Sequence, residues 1–217
     1  MRASHPHPRA SALHGLYAIT SEDICRRLTD LLAGVEQALA GGAALIQYRD
    51  KWNNTAVRTR NVHALLGLCR AHGALLIIND DVELASRCGA DGVHVGASDT
   101  PLAQARARLG AEAVIGVSCA NSLQRALAAQ AAGADYVAFG RFFPSLTKPD
   151  APQADPELLA TLRPQLQLPV CVIGGITPDN APDLIARGTD MVAAVEGVFG
   201  AEDIEAAARA YSQLFRR

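Results

Sequence analysis

The stretch AVIGVSCANSLQRALAAQAAGADYVAFG, residues 113–140, contains two apolar runs on either side of an alanine-rich segment. The outer runs, AVIGVS and DYVAFG, have the composition of buried strands. Between them, SLQRALAAQAAGAD carries apolar residues at helical spacing and has a glycine near its end, as many helices do. Continuous apolar strands joined by a helix are typical of a parallel sheet. The stretch therefore predicts one strand–helix–strand unit.

The same alternation continues along the chain at a period of about 25 residues. The strand candidates are GLYAIT (15–20), ALIQYR (44–49), LLIIND (75–80), DGVHVG (91–96), AVIGVS (113–118), DYVAFG (135–140), PVCVIGG (169–175) and DMVAAVEG (190–197). Eight such units favour closure into a barrel over an open doubly wound sheet, and no GxGxxG follows the first strand. We expect an α/β fold, a single-domain (β/α)8 TIM barrel over residues 14–217, after a flexible N-terminal tail of residues 1–13.

Composition narrows the classes of function. The 217 residues are 49% hydrophobic and carry a net charge of −2, so a broad basic surface for nucleic acid is not expected. The five cysteines are scattered and form no metal-like spacing, which indicates reduced thiols. The opening MRASHPHPRASALH lacks the apolar run of a signal peptide, and no later run is long enough to span a membrane. We expect a cytoplasmic protein with small-molecule substrates and no nucleic-acid or membrane partner, and leave a homo-oligomer open.

Charged residues follow the second, third and fourth strand candidates. In such a barrel the active site lies at the carboxyl ends of the strands. Alternation along the second strand directs Gln47, Arg49 and Lys51 to one side, which we expect to be the barrel mouth. Asp80 and Asp99 end neighbouring strands and offer the oxygen ligands that Mg²⁺ prefers, although Asp99 could instead cap a helix. Together these residues predict a site for Mg²⁺ and a diphosphate.

The later strand ends predict a second phosphate site. Loops after the seventh and eighth strands commonly bind phosphate in these barrels. Here those loops contain Gly174–Gly175 and Glu196–Gly197, and the glycines permit close approach of the backbone to a ligand. The loop after the sixth strand adds the hydroxyls and ammonium of FFPSLTKP, residues 142–149.

Seven segments of this chain, taken in order, resemble the thiamine phosphate synthase family. They are QYRDK (47–51), IND (78–80), GVHVGASD (92–99), GVS (116–118), FFPSLTKP (142–149), VIGGI (172–176) and TDMVAAVEGVF (189–199). The resemblance runs from about residue 15 to 203. It implies a (β/α)8 barrel that joins an aminopyrimidine methyl diphosphate to a thiazole phosphate, forming thiamine phosphate and releasing diphosphate with Mg²⁺.

The resemblance also implies roles for individual residues. The residues expected to hold the pyrimidine diphosphate are Gln47, Arg49, Lys51, Asn79, Ser118 and Lys148. The candidate substrate-binding set also includes Tyr48 and Asp50, and Asp80 and Asp99 would bind Mg²⁺. The thiazole phosphate would be surrounded by Ser145, Leu146, Thr147, Gly175, Val195 and Glu196, with Leu146, Val195 and Glu196 acting through backbone groups. Catalytic contributions are expected from Arg49, Lys51, Ser118 and Lys148.

Glu196 departs from the family pattern, which often has serine at this position beside the thiazole phosphate. An inward carboxylate would repel that anion, so we expect the side chain to point away. Two alternatives stay open: a thiazole tautomerase of the same fold, which would not need the Mg²⁺-diphosphate residues, and a non-catalytic sensor of phosphate ligands.

Overall fold

Each predicted apolar run forms a strand in the computed structural model, which describes residues 9–144 and 153–216. The strands are β1 (Gly15–Ile19), β2 (Leu45–Tyr48), β3 (Leu75–Asn79), β4 (Gly92–Val95), β5 (Val114–Ala120), β6 (Tyr136–Phe139), β7 (Val170–Ile173) and β8 (Met191–Ala194). They pair in parallel in chain order, and β8 pairs with β1, so the sheet is closed. The predicted single-domain (β/α)8 barrel is confirmed.

Helices connect the strands on the outside of the barrel. They are α1 (Glu22–Cys25), α2 (Leu28–Ala40), α3 (Thr55–Ala71), α4 (Val82–Cys88), α5 (Leu102–Leu109), α6 (Leu123–Ala131), α7 (Glu157–Leu162), α8 (Ala181–Ala186), α9 (Glu196–Phe199) and α10 (Ile204–Gln213). The helix after β3, α4, is short and ends at Gly89 in the left-handed conformation. No helix within the described ranges is long and apolar enough to cross a membrane.

Side chains alternate between two apolar layers because successive residues of a strand point to opposite faces. On β1, Tyr17 and Ile19 enter the cluster inside the barrel, whereas Leu16 and Ala18 join the cluster between strands and helices. The inner layer fills the barrel below the carboxyl ends of the strands. Polar inward side chains are therefore concentrated towards that end, where the site lies.

An aspartate directly precedes β4, β6 and β8 at the opposite end of the barrel. The backbone N–H groups of Leu76, Ile115 and Val170 donate to the side chains of Asp91, Asp135 and Asp190 at 2.9, 2.7 and 2.8 Å. Each aspartate also pairs with an arginine: Arg9, Arg106 and Arg163, respectively. These carboxylates satisfy N–H groups at the strand starts, so this end of the barrel is built for stability.

The residues just before β1 pack on the barrel, in contrast to the flexible tail predicted from the sequence. Residues 9–13, assigned above to a flexible tail, lie against the barrel. Arg9 donates to Asp91 at 2.7 Å, and Leu13 is buried in the inner apolar cluster. Leu13 packs there because the amino-terminal end of the barrel needs an apolar cover. Residues 1–8 lie outside the described residues.

Candidate active site

A cavity of about 660 Å³ opens at the carboxyl ends of the strands, within the size range of small-molecule sites. Its walls combine apolar residues with charged and polar side chains. The charged and polar residues that line it are Gln47, Arg49, Lys51, Asn79, Asp80, His94, Ser98, Asp99, Ser118, Arg125, Arg141, Thr177 and Glu196. Of the predicted site residues that the structure describes, all line this one cavity except Tyr48 and Asp50.

The end of β2 supplies an amide and two cations. Gln47, Arg49 and Lys51 all line the cavity, as alternation along the strand predicted. The backbone of Arg49 is held by Thr20, whose Oγ1 accepts the Arg49 N–H at 2.9 Å. The Arg49 guanidinium lies over the ring of Trp52, 5.6 Å from its centroid. This cation–π contact orients the guanidinium at the mouth.

Tyr48 and Asp50 occupy the other face of β2 and do not line the cavity. Tyr48 is buried among the helices and donates from Oη to Asp50 Oδ2 at 2.6 Å. Asp50 Oδ1 accepts the N–H groups of Trp52 and Asn53. Alternation explains the difference, because neighbours of inward residues must point outwards. Both residues brace the loop after β2.

Burial by itself would raise the pKa of Asp50, but hydrogen bonds favour its charged form. The Tyr48 hydroxyl, the backbone and side chain of Asn53 and the backbone of Trp52 all donate to the carboxylate, and the net effect lowers the Asp50 pKa. Asp50 therefore stays ionised as the acceptor that organises this loop.

Two carboxylates meet at the ends of β3 and β4. Asp80 and Asp99 both line the cavity here, and Lys51 Nζ lies 3.0 Å from Asp80 Oδ2. Burial opposes the charge on Asp80, yet the Lys51 ammonium and the Asn79 side chain lower its pKa. Asp99 also accepts the N–H of Gly96 at 2.7 Å, while Pro101 stands at the start of α5. Asp99 is therefore not the cap of that helix.

The backbone is unusual where these residues enter the cavity. Asp80 has φ +62° and Ala120 has φ +53°, in the left-handed region that non-glycine residues seldom adopt. The pairing of β5 with β6 shifts in register between Ser118 and Ala120. Such an irregularity changes the direction of side chains at a strand end. Ser118 here reaches the cavity with its hydroxyl 3.0 Å from His94 Nε2.

His94 on β4 is buried and hydrogen bonded. Its Nδ1 lies 2.9 Å from the Tyr136 hydroxyl. It also lines the cavity, so the ring belongs to the floor of the site as well as to the core.

The opposite side of the cavity is formed by backbone from β7 and β8. Gly174 and Gly175 have φ of +100° and +62°, and Val195 and Glu196 border the same space. A side chain at Gly175 would overlap Phe143 and the carbonyl of Pro144. This position therefore requires glycine for both conformation and space.

Glu196 is exposed at the start of α9. Its Oε2 lies close to Gly200, so the carboxylate folds back along the short helix. Glu196 takes part in none of the ion pairs found among residues 9–144 and 153–216.

The loop after β6 returns to the cavity beside β7. The N–H of Phe142 donates to Ile173 and that of Phe143 to Gly174, and Pro144 lines the cavity. Farther along, the N–H of Ala154 donates to the carbonyl of Arg141 at 2.7 Å. The four predicted site residues Ser145, Leu146, Thr147 and Lys148 lie outside the described residues.

Sequence reasoning did not single out Arg125 or Tyr17, which both line the cavity. Arg125 stands in the first turn of α6, and Tyr17 reaches the floor from β1. A cation in the first turn of a helix is electrostatically unfavourable and could have marked Arg125. Tyr17 could have been found because it shares its inward face with Ile19.

Comparison with known proteins identifies the family. A family model described as thiamine monophosphate synthase matches residues 16–198. The chain belongs to this family. The thiamine-phosphate synthase of Thioalkalivibrio sulfidiphilus is 55% identical over 203 residues, covering 94% of this chain and 96% of the relative. That of Nitrosococcus oceani is 50% identical over 206 residues, covering 95% and 94%.

A solved structure of similar sequence has a similar architecture. The thiamine phosphate pyrophosphorylase from Pyrococcus furiosus matches with a TM-score of 0.84 and 35% identity, over 94% of this chain and 96% of that one. The family match extends from β1 through β8 into α9. It therefore includes every strand end that forms the cavity.

Proposed function

We propose that this protein is a thiamine phosphate synthase, a transferase that joins 4-amino-2-methyl-5-(diphosphooxymethyl)pyrimidine to 4-methyl-5-(2-phosphooxyethyl)thiazole. The products are thiamine phosphate and diphosphate. The observation that carries the proposal is the Lys51–Asp80 ion pair, which lies in one cavity with Asp99 and Arg49, in a chain whose relatives bear this name. Cations and paired carboxylates in one cavity suit a diphosphate and its metal ion.

The chain's cations would bind the leaving diphosphate. Arg49 offers a planar fork for two phosphate oxygens, and Lys51 offers a compact charge. In the proposed reaction the C–O bond to diphosphate breaks first, leaving a methylene cation that the ring amino group stabilises. Fixed positive groups favour this step because negative charge grows on the leaving group. Lys148 is proposed as a third such group.

Asp80 and Asp99 fit a magnesium site. Both side chains line the same cavity and carry the hard oxygen ligands that a magnesium ion prefers. No cluster of three or more potential metal-ligating side chains occurs within 9–144 and 153–216, so substrate phosphate and water would complete the coordination. When bound, Mg²⁺ would supply further positive charge for the departing diphosphate.

The second substrate would lie towards β7 and β8. The backbone at Gly175, Val195 and Glu196 borders the cavity there, and the glycine allows a phosphate to approach closely. Ser145, Leu146 and Thr147 are proposed to complete this phosphate site. The folded-back carboxylate of Glu196 supports binding through the backbone.

The cavity would also align the reactants and exclude water. Apolar walls from Ile19, Ile173 and Ala193 surround the space between the two phosphate regions. A methylene cation formed there meets the thiazole nitrogen before water, because the second substrate is already in place. We assign the reaction to the cytoplasm, which the five buried free cysteines support.

The test is to incubate the purified protein with both substrates, with and without Mg²⁺, and to follow thiamine phosphate by mass spectrometry. We expect Mg²⁺-dependent product from the wild type and from Arg187→Ala, whose ion pair with Glu157 lies away from the cavity. Arg49→Ala should lose product by about 10²-fold or more.

The alternatives predict other outcomes. A tautomerase would convert the thiazole phosphate alone, and a sensor would bind ligands without turnover. Absence of thiamine phosphate from a folded protein, with an active synthase as positive control, would overturn the proposal.

A further inference from the structure

Five polar side chains form a continuous hydrogen-bonded chain across the floor of the cavity. Gln47 Nε2 donates to Tyr17 Oη at 2.7 Å, and Tyr17 Oη lies 2.9 Å from Tyr136 Oη. Tyr136 Oη lies 2.9 Å from His94 Nδ1, and His94 Nε2 lies 3.0 Å from Ser118 Oγ. This chain of five side chains, which we call the relay, therefore begins at Gln47 and ends at Ser118, and both residues line the cavity.

With His94 neutral, only two proton arrangements use every hydroxyl of this relay. With the Gln47 amide nitrogen facing Tyr17, as in the structure, Tyr17 donates to Tyr136 and Tyr136 donates to His94 Nδ1. His94 then carries its proton on Nε2 and donates to Ser118, whose own hydroxyl proton is directed to a ligand. Rotating the Gln47 amide by half a turn exchanges donor and acceptor in every hydrogen bond of the relay. A mixed arrangement leaves one buried phenol proton without an acceptor, which is costly.

The phenols transmit hydrogen-bond direction and do not become charged. Burial raises the pKa of Tyr17, and burial likewise raises the pKa of Tyr136 well above its ordinary range. Both side chains are buried, so water does not interrupt the relay. Each phenol therefore keeps one proton and can donate in one direction at a time.

Gly116 on β5 makes the position of Tyr136 possible. A side-chain carbon at Gly116 would overlap the Tyr136 ring and hydroxyl. The same ring meets Tyr17 edge-on, with centroids 6.0 Å apart, and stacks on His94 with centroids 5.5 Å apart. The central tyrosine is therefore held between its two relay partners by packing as well as by hydrogen bonds.

We propose that Tyr17, Tyr136 and His94 are positioning residues that couple the Gln47 amide to the Ser118 hydroxyl and so select the substrate. When Ser118 donates to a phosphate oxygen, the relay turns the carbonyl oxygen of Gln47 towards the cavity. That oxygen accepts a hydrogen bond from an amino group on the ligand. It repels an oxo group at the same position, because two acceptor oxygens would then face each other. The inference rests on the proposed function, because it concerns the pyrimidine diphosphate at the same site.

Nitrogen NMR of the ¹⁵N-labelled protein without substrate tests the relay itself. The His94 signals are assigned by their loss in His94→Gln. We expect the wild type to carry the proton on Nε2, and Tyr136→Phe to lose this preference because Nδ1 no longer receives a proton. Tyr48→Phe removes a buried hydroxyl from the opposite face of β2 and should leave His94 unchanged. Equal tautomers in the wild type and Tyr136→Phe would overturn the relay.

Binding measurements test the coupling to substrate. Calorimetry without the thiazole compares the amino-pyrimidine diphosphate with its 4-oxo analogue. We expect the wild type to prefer the amino compound by about tenfold or more, as for a polar contact that one ligand leaves unpaired. The preference should fall to about threefold or less in Tyr136→Phe. An unchanged preference in that variant would overturn the proposal.

Tyr17→Phe breaks a different link and keeps the test valid if Tyr136→Phe unfolds. Tyr136 can still donate to His94, so the Nε2 proton should remain while the preference for the amino compound is lost. Retention of the preference in Tyr17→Phe would contradict the coupling. If the wild type fails to bind the pyrimidine diphosphate, the proposed function is wrong, and the proposed selectivity is wrong with it. The NMR result still decides separately whether the relay exists.

Discussion

Lys51 Nζ, from the loop after β2, lies 3.0 Å from Asp80 Oδ2 at the end of β3. The two residues are 29 positions apart in the sequence, and parallel pairing of β2 with β3 brings them together. About half of the lysine side chain is exposed, so the pair contributes little to stability. Because the pair lies at the cavity mouth, we expect Lys51 to contribute to the reaction rather than to stability.

Lys51→Ala should impair the reaction much more than the fold. We expect kcat/KM for the pyrimidine diphosphate to fall by about 10²–10³-fold, because a fixed positive group near the leaving phosphate is lost. The free energy of unfolding should change by less than about 1 kcal/mol. Steady-state kinetics and urea unfolding measure the two effects. Arg187→Ala is the matched control, and equal losses in the two variants would contradict the assignment.

Asp99→Asn should weaken the response to Mg²⁺. Asparagine keeps an oxygen that can accept the Gly96 N–H but removes the charge that a magnesium ion would neutralise. We expect the Mg²⁺ concentration for half-maximal rate to rise by about tenfold or more, equivalent to about 1.4 kcal/mol. The measurement is a Mg²⁺ titration of the initial rate. A wild-type rate that persists in excess chelator would argue against a magnesium requirement.

Gly175→Ala should damage the thiazole-phosphate side of the site. The left-handed conformation costs about 1–2 kcal/mol for alanine, and overlap with Phe143 and Pro144 adds to this cost. We expect lower stability and a raised KM for the thiazole phosphate, measured by thermal unfolding and kinetics. Gly133→Ala shares the positive φ but has open space around it. Identical behaviour of the two variants would show that the overlap has no effect.

Asp135→Asn should lower stability without changing the chemistry. The carboxylate accepts the Ile115 N–H at 2.7 Å and pairs with Arg106 at 2.6 Å, at the barrel end opposite the cavity. Loss of a hydrogen-bonded charge should cost about 1.5–3 kcal/mol. Denaturant unfolding checks the loss, while kcat of the folded enzyme should stay unchanged. Asp30→Asn removes an exposed pair with Arg27 as the control, and an equal loss there would refute the argument.

Asp50 should make stability depend on pH in acid. Its pKa lies below the ordinary value of 3.8, so its contribution is fully present above that value and is lost as the pH falls through the folded-state pKa. We expect the free energy of unfolding to fall less steeply below about pH 4 in Asp50→Asn than in the wild type. Urea unfolding across this range measures the slopes. Asp23→Asn, an exposed carboxylate, should keep the wild-type slope.

The barrel and much of the site could be predicted from local sequence. Apolar runs at a regular period predicted all eight strands, and alternation placed Gln47, Arg49 and Lys51 at the cavity. The same rule should have excluded Tyr48 and Asp50, since adjacent residues of a strand cannot share a face. Their inclusion followed the linear segment QYRDK instead of its geometry.

The sequence alone determined the parallel (β/α)8 architecture, the end of the barrel that carries the site and the family resemblance. These follow from periodicity and strand-end chemistry, which are local properties of the chain. Only the tertiary structure decided that Gln47, Tyr17, Tyr136, His94 and Ser118 form one relay, and that Arg9 and Leu13 pack on the opposite end. Such contacts depend on closure of the sheet, because closure brings distant strands within hydrogen-bonding distance across the interior.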